Sequence, residues 1–199
     1  MDDRFADRYK IKSSKLNNWD YSNPGKYFIT ICAYKKNNFF GKIKNPPTGG
    51  NRIRLKEIGL VAKSNWLEIT RHFDNVKLDE FVVMPNHVHG IIEILPTIKT
   101  PCRDVGSRCR DVACNVSTRM SAISPKKKSI PSIIRSYKYS VQKYANDNKI
   151  FFGWQPRYFD EVIFDDKRYF QIKNYIKNNP DNWIKDKLFS DNQTNGTAM

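Results

Sequence analysis

Phe81-Val82-Val83-Met84-Pro85-Asn86-His87-Val88-His89-Gly90-Ile91-Ile92 reads as two β-strands meeting at a turn. β-branched and aromatic residues fill both arms, and Pro85-Asn86 between them is turn chemistry. The first arm extends back to about Val76 and ends at Met84; the second runs from His87 to Leu95. Two of the chain's three histidines open the second arm. A strand sends residues i and i+2 to the same face, so both imidazoles point one way. Histidine is the commonest metal ligand, and the pair reads as half of a metal site built on a rigid element. Packing or hydrogen bonding is the other reading of such a pair.

Working outward, Lys26 to Tyr34 is a strand, Asn37-Asn38 its turn, and Phe39 to Ile43 its expected partner. Asn45-Pro46-Pro47-Thr48-Gly49-Gly50 is a loop. Ile58, Val61, Ala62, Trp66, Ile69 and Phe73 recur at three- and four-residue steps, which predicts an amphipathic helix from Ile58 to Phe73. The stretch 96–128 is poor in large apolar residues and contains Cys102-Arg103-Asp104-Val105 and Cys109-Arg110-Asp111-Val112. Two copies of four residues are too few for a repeat architecture, and the stretch reads as a mobile basic insertion. A second helix is expected from Ser129 to about Asn148, with Ser132 as a cap. Tyr158 to Phe164 follows as a fifth strand. A third helix starts at an Asp165 or Asp166 cap and stops at Pro180. This order predicts an α+β domain, an antiparallel or mixed sheet of about five strands with helices packed on it. No glycine-rich phosphate loop is present.

The chain has 199 residues and a formal net charge of +15, from 35 Lys+Arg against 20 Asp+Glu. That excess favours a polyanionic partner, nucleic acid before an anionic membrane; a solubility device is the plainer alternative. No apolar run approaches the ~18 residues of a membrane span, and Met1-Asp2-Asp3-Arg4 lacks the order of a signal peptide. A cytoplasmic location is expected. Cys32 falls in a strand pattern and reads as a buried thiol. Cys102, Cys109 and Cys114 lack zinc-ribbon spacing.

Tyr175-Ile176-Lys177-Asn178-Asn179-Pro180 raises the interest of the histidines. Tyr175 and Asn179 are four residues apart and share a helical face. Asn179 offers an amide oxygen as a candidate third ligand, and Tyr175 a phenol one turn away. A His87-His89-Asn179 set leaves positions open for a substrate oxygen. Having no thiolate, it suits Mg²⁺ or Mn²⁺ at least as well as structural zinc. A phenol with pKa ~10 is a poor nucleophile at neutral pH, but a cation that polarises a phosphate makes the attack feasible. An aromatic anchor packing its helix on the sheet is the alternative reading of Tyr175. Tyr137, Tyr139 and Tyr144, on the preceding helix, compete for the nucleophile's part.

Val83-Met84-Pro85-Asn86-His87-Val88-His89, then Trp154-Gln155-Pro156-Arg157-Tyr158, then Tyr175-Ile176-Lys177-Asn178-Asn179-Pro180 together resemble the REP-associated tyrosine transposases, of the single-tyrosine HUH class of insertion-sequence transposases. The resemblance runs from about Tyr27 to Trp183, interrupted by the insertion. It implies a ferredoxin-like antiparallel sheet, a single-stranded DNA substrate folded into a hairpin, and a 5′-phosphotyrosine intermediate with a free 3′-hydroxyl. By position it makes Tyr175 the nucleophile and His87, His89 and Asn179 the ligands of Mg²⁺ or Mn²⁺. It also implies a basic arm over residues 1–25, a catalytic domain over 26–186, a tail over 187–199 and a bacterial, nucleoid-associated setting. Monomer and homodimer stay open, because some relatives share active sites between subunits. Arg8, Lys10, Lys12, Arg135, Lys138 and Arg157 are the candidate phosphate contacts, and Tyr9, Trp154 and Tyr158 the candidate stacking platforms. His72 reads as a charge partner for a helix C-terminus. Two other functions fit the same residues: a domesticated binder of hairpin DNA with little cleavage, and a metal-dependent nuclease that uses water and forms no covalent intermediate.

Overall fold

The computed structural model describes residues 4–5, 8–9, 15–16, 18–44, 50–96 and 125–189. Lys10, Lys12, the Asn45–Gly49 part of the expected loop, all but the ends of the 96–128 insertion (with Cys102, Cys109 and Cys114) and residues 190–199 of the tail lie outside them. Arg8 and Tyr9 are described as backbone only, in a two-residue ladder between β1 (Arg4–Phe5) and β2 (Arg8–Tyr9).

β3 (Gly25–Cys32) is the organising strand. β7 (His87–Ile94) flanks it on one edge and β8 (Phe159–Ile163) on the other, both antiparallel. β6 (Val76–Val83) pairs with β7 across the Pro85-Asn86 turn, so the main sheet has four strands in the order β6-β7-β3-β8. α1 (Glu57–Leu67) joins β3 to β6, and α3 (Ile130–Asp147) joins β7 to β8. The result is the βαββαβ ferredoxin-like topology, an α+β domain as expected.

Strand alternation then sorts the side chains. Tyr27, Ile29 and Ile31 of β3 and Val88 and Ile92 of β7 face α1 and α3, forming the large core with Trp66, Ile133, Tyr137 and Val141. Gly90 shares that face: a Cβ there would stand 2.3 Å from the Trp66 ring, so only hydrogen leaves room for the indole. The opposite residues, Phe28 of β3 and Ile91 of β7, face α4 (Asp166–Asn178) and meet its Ile172 and Ile176 in a smaller core. His87 and His89 share this second face.

Several local expectations change. The segment Phe39 to Ile43 does not pair with the strand before it, because both edges of β3 are already taken. Instead β4 (Gly41–Lys44) pairs with β5 (Arg52–Leu55) as a separate ribbon, and Phe39 and Phe40 become core residues. The helix expected to reach Phe73 breaks at Glu68, leaving α1 and the short α2 (Ile69–His72), with His72 exposed in its last turn. Ser132 does not cap α3. Pro131 is accommodated in the first turn, which moves the cap position back to Ser129. At α4 the choice between two aspartates resolves to Asp165, whose carboxylate accepts from the Arg168 amide at 2.7 Å. No helix of the described residues is long and apolar enough to cross a membrane.

Candidate active site

His87 is fully buried at the start of β7, opposite Cys32. Its Nδ1 lies 2.7 Å from Asn86 Oδ1. The Asn86 amide cannot be turned around, because its Nδ2 donates to the Lys36 carbonyl at 3.1 Å and the Leu188 carbonyl at 2.8 Å. Asn86 Oδ1 is therefore an acceptor, and the proton of His87 sits on Nδ1. That leaves Nε2 as a bare lone pair, buried and without a hydrogen-bond partner.

His89 lies opposite Thr30, with Nδ1 2.8 Å from the threonine hydroxyl. Its Nε2 is 3.2 Å from the Tyr175 hydroxyl. A threonine hydroxyl both donates and accepts, so Thr30 serves either tautomer of His89. Phe28 stacks on the His89 ring at 5.3 Å, and Trp183 covers His87 at 5.9 Å. Burial, with His89 beside it, pushes the His87 pKa well below the usual imidazole value; burial pushes that of His89 down to about 4. Both rings are neutral at physiological pH, the form that binds a cation.

α4 brings the other two residues. Ile172 and Ile176 bury one stripe of it, which turns Tyr175 and Asn179 toward the histidines. Tyr175 is 45% exposed, with its ring edge-on to Phe28. Burial and the Asp186 charge push its phenol up to about 12. Asn179, just past the end of α4, is 1% exposed; its Nδ2 donates to Asp186 Oδ2 at 2.6 Å while its Oδ1 has no partner.

Asp186 has no counterpart in the sequence reading. It follows the short 3₁₀ turn Trp183–Lys185, which folds the chain back over the site after Pro180. Its Oδ2 accepts from Tyr175 at 3.0 Å and its Oδ1 from the Leu188 amide at 2.6 Å. Ligand atoms of His87, His89 and Asp186 lie within 4.8 Å of one another. Two orphaned buried lone-pair atoms, His87 Nε2 and Asn179 Oδ1, beside a carboxylate fit a hard or borderline divalent cation, which would satisfy them.

A cleft of about 1150 Å³ opens over this cluster, lined by His89, Tyr175, Asp186, Phe159, Arg157 and Lys187 among others. Phe159 is 44% exposed at its wall and edge-on to Phe28. Of the sequence's phosphate candidates, Arg157 lines this cleft. Lys138 bonds the Gln155 and Arg157 carbonyls at 2.8 and 3.2 Å, which ties down the turn before β8. Arg135 is exposed on α3, across the sheet from Tyr175. Trp154 donates to the Lys138 carbonyl and packs among Phe40, Tyr137 and Phe152, while Tyr158 lines the cleft. The competing tyrosines all lie on α3: Tyr137 is buried and bonds the Ala62 carbonyl, Tyr144 bonds Glu57, and Tyr139 faces outward.

The fold and the cluster define a βαββαβ protein that gathers two imidazoles, an amide, a carboxylate and a phenol at one cleft. The chain belongs to the same family as an uncharacterized protein of Haemophilus influenzae (strain Rd), to which it is 38% identical over 185 residues, 90% of this chain and 93% of that protein. No family model matches the chain. Among solved structures it resembles a REP-associated tyrosine transposase bound to a REP hairpin, with a TM-score of 0.49 and 17% identity over 88% of this chain and 75% of that one. It also resembles a candidate transposase from Deinococcus radiodurans R1, with a TM-score of 0.36 and 15% identity over 82% of this chain and 95% of that one.

Proposed function

We propose that this chain is a metal-dependent single-stranded DNA endonuclease and strand transferase of the transposase type. It cuts beside DNA hairpins through a 5′-phosphotyrosine intermediate. One observation carries the reading: the Tyr175 hydroxyl lies 3.2 Å from His89 Nε2, beside the unpartnered His87 Nε2 and Asn179 Oδ1. In this reading His87, His89 and Asn179 hold Mg²⁺ or Mn²⁺, and Tyr175 is the nucleophile. The cation, when bound, supplies Lewis acidity at the scissile phosphate. The phenolic oxygen of Tyr175 attacks phosphorus, the bond from phosphorus to the 3′-oxygen breaks, and the proton lost by the phenol is balanced by one gained at the 3′-oxygen. The ester conserves the energy of the broken bond, so a returning 3′-hydroxyl can displace Tyr175 and rejoin the strand.

The cleft suits a single strand. Phe159 offers a ring on which a base can stack, and cations line the walls for the phosphates. Residues 26–186 form the catalytic domain in this reading, although site contacts continue to Leu188 and Phe189. The test is incubation with hairpin-bearing single-stranded DNA and Mn²⁺, followed by denaturing electrophoresis. Wild-type protein gives an adduct that survives denaturant, and Tyr175→Phe gives none. Cut DNA without adduct would replace the proposal with a water-dependent nuclease, and binding without cutting would replace it with a hairpin binder.

A further inference from the structure

Asp186 is the carboxylate of the cluster, and its two oxygens do different things. Oδ1 accepts from the Leu188 amide, which fixes the plane of the group. Oδ2 accepts two hydrogen bonds at once, from the Tyr175 hydroxyl and from Asn179 Nδ2. The second bond has a directional consequence. An amide carries donors on one side and an acceptor on the other, and a carboxylate only accepts. With its NH₂ committed to Asp186, Asn179 must present Oδ1 away from Asp186, where that oxygen is buried and unpaired. The first bond holds the Tyr175 hydroxyl at the same spot.

We propose that Asp186 is the positioning residue of this site: one carboxylate oxygen turns the Asn179 oxygen toward the cation and keeps the Tyr175 hydroxyl beside it. The proposal rests on the roles given to Asn179 and Tyr175 above. It requires an acceptor oxygen at position 186 rather than a negative charge. Asparagine can present its amide oxygen to Tyr175 and Asn179, giving up only the Leu188 bond; alanine can present nothing. A carboxylate that ligated the cation directly would behave otherwise, because asparagine would then fail as alanine does.

The experiment titrates Mn²⁺ into the full-length protein without DNA and reads free Mn²⁺ by electron paramagnetic resonance, for wild type, Asp186→Ala and Asp186→Asn. Outer partners of metal ligands typically contribute 10–100-fold in affinity, so Asp186→Ala is expected to weaken Mn²⁺ binding by about 10-fold or more. Asp186→Asn is expected to stay within about 3-fold of wild type. Wild-type affinity in Asp186→Ala would overturn the proposal. So would an Asp186→Asn as weak as Asp186→Ala, which would make Asp186 a ligand instead. If Asp186→Ala does not fold, as judged by thermal melting, Asp186→Asn decides alone: retained affinity supports the proposal, and a 10-fold loss overturns it. A wild-type protein that binds Mn²⁺ but forms no DNA adduct would defeat the phosphotyrosine strand-transferase reading and leave this titration to judge Asp186.

Discussion

Burial sets the behaviour of individual groups here, and not only at the cluster. His87 and His89 are neutral because the sheet and α4 exclude water from them. His87→Ala removes a lone pair but little contact with the cleft, so it should abolish adduct formation while leaving hairpin DNA binding within about 3-fold, as gel shift without metal would show. Loss of both together would mean that the ring is structural. Asp160, on β8, is 2% exposed, and neither carboxylate oxygen has a well-formed hydrogen bond. Burial raises its pKa, only partly offset by the nearby Tyr21 hydroxyl and Lys15 charge. An acid whose folded pKa lies above its unfolded value favours folding most below the unfolded pKa. That contribution is lost as pH rises through the folded pKa. Asp160→Asn should therefore raise Tm at pH 7.5, and the gain should shrink as the pH approaches 4. A gain that was constant across that range would show that charge is not its source.

At the scale of elements, the site depends on two packings made from opposite sides of β7. Trp66 of α1 lies over Gly90 on one side, and α4 lies over His89 and Ile91 on the other. The far side of α4 is fastened to β6, where Lys173 bonds Asp79 at 2.7 Å, Tyr169 bonds the same carboxylate, and Lys177 stands 3.6 Å from Glu80. Gly90→Ala would drive a methyl into the indole and should cost about 1–3 kcal/mol in urea denaturation. Because Gly90 separates His89 from Ile91, the same variant should also weaken Mn²⁺ binding; unchanged stability would mean that α1 can shift to accommodate the methyl. These elements were legible to different degrees for physical reasons. His87 and His89 share a face by the two-residue period of a strand, and Tyr175 and Asn179 by the four-residue step of a helix, so each pair could be read from spacing. Partner choice could not. The segment after Asn38 looks like a strand locally, and nothing local says that β3 is already occupied on both edges. Asp186 was invisible because a 3₁₀ turn after Pro180, and no periodicity, returns it to Tyr175.

For the whole molecule, the question is where a net charge of +15 acts. Tyr175, Asn179, His87 and His89 meet within one chain, so their assembly needs no second copy. The cations therefore matter by their position relative to that one cleft. Lys15, Arg157, Arg168, Lys185 and Lys187 line it, but Arg168 is held by both oxygens of Glu161, at 2.6 and 2.9 Å. Under the proposed function Lys185 and Lys187, beside Asp186, would meet phosphates, whereas Arg135 stands on the opposite helical layer. Single-strand binding releases counterions, so log K falls with log salt by about 0.7 for each phosphate neutralised. Those two contacts predict a slope of about −1.4 for an unstructured oligonucleotide, measured by fluorescence anisotropy in the absence of metal. Lys187→Ala should flatten that slope by about 0.7 and leave Mn²⁺ affinity alone, while Arg135→Ala should leave the slope as it is. If Arg135→Ala flattened the slope and Lys187→Ala did not, the strand would run over the helices and away from Tyr175, and the cleft would lose its claim to the substrate.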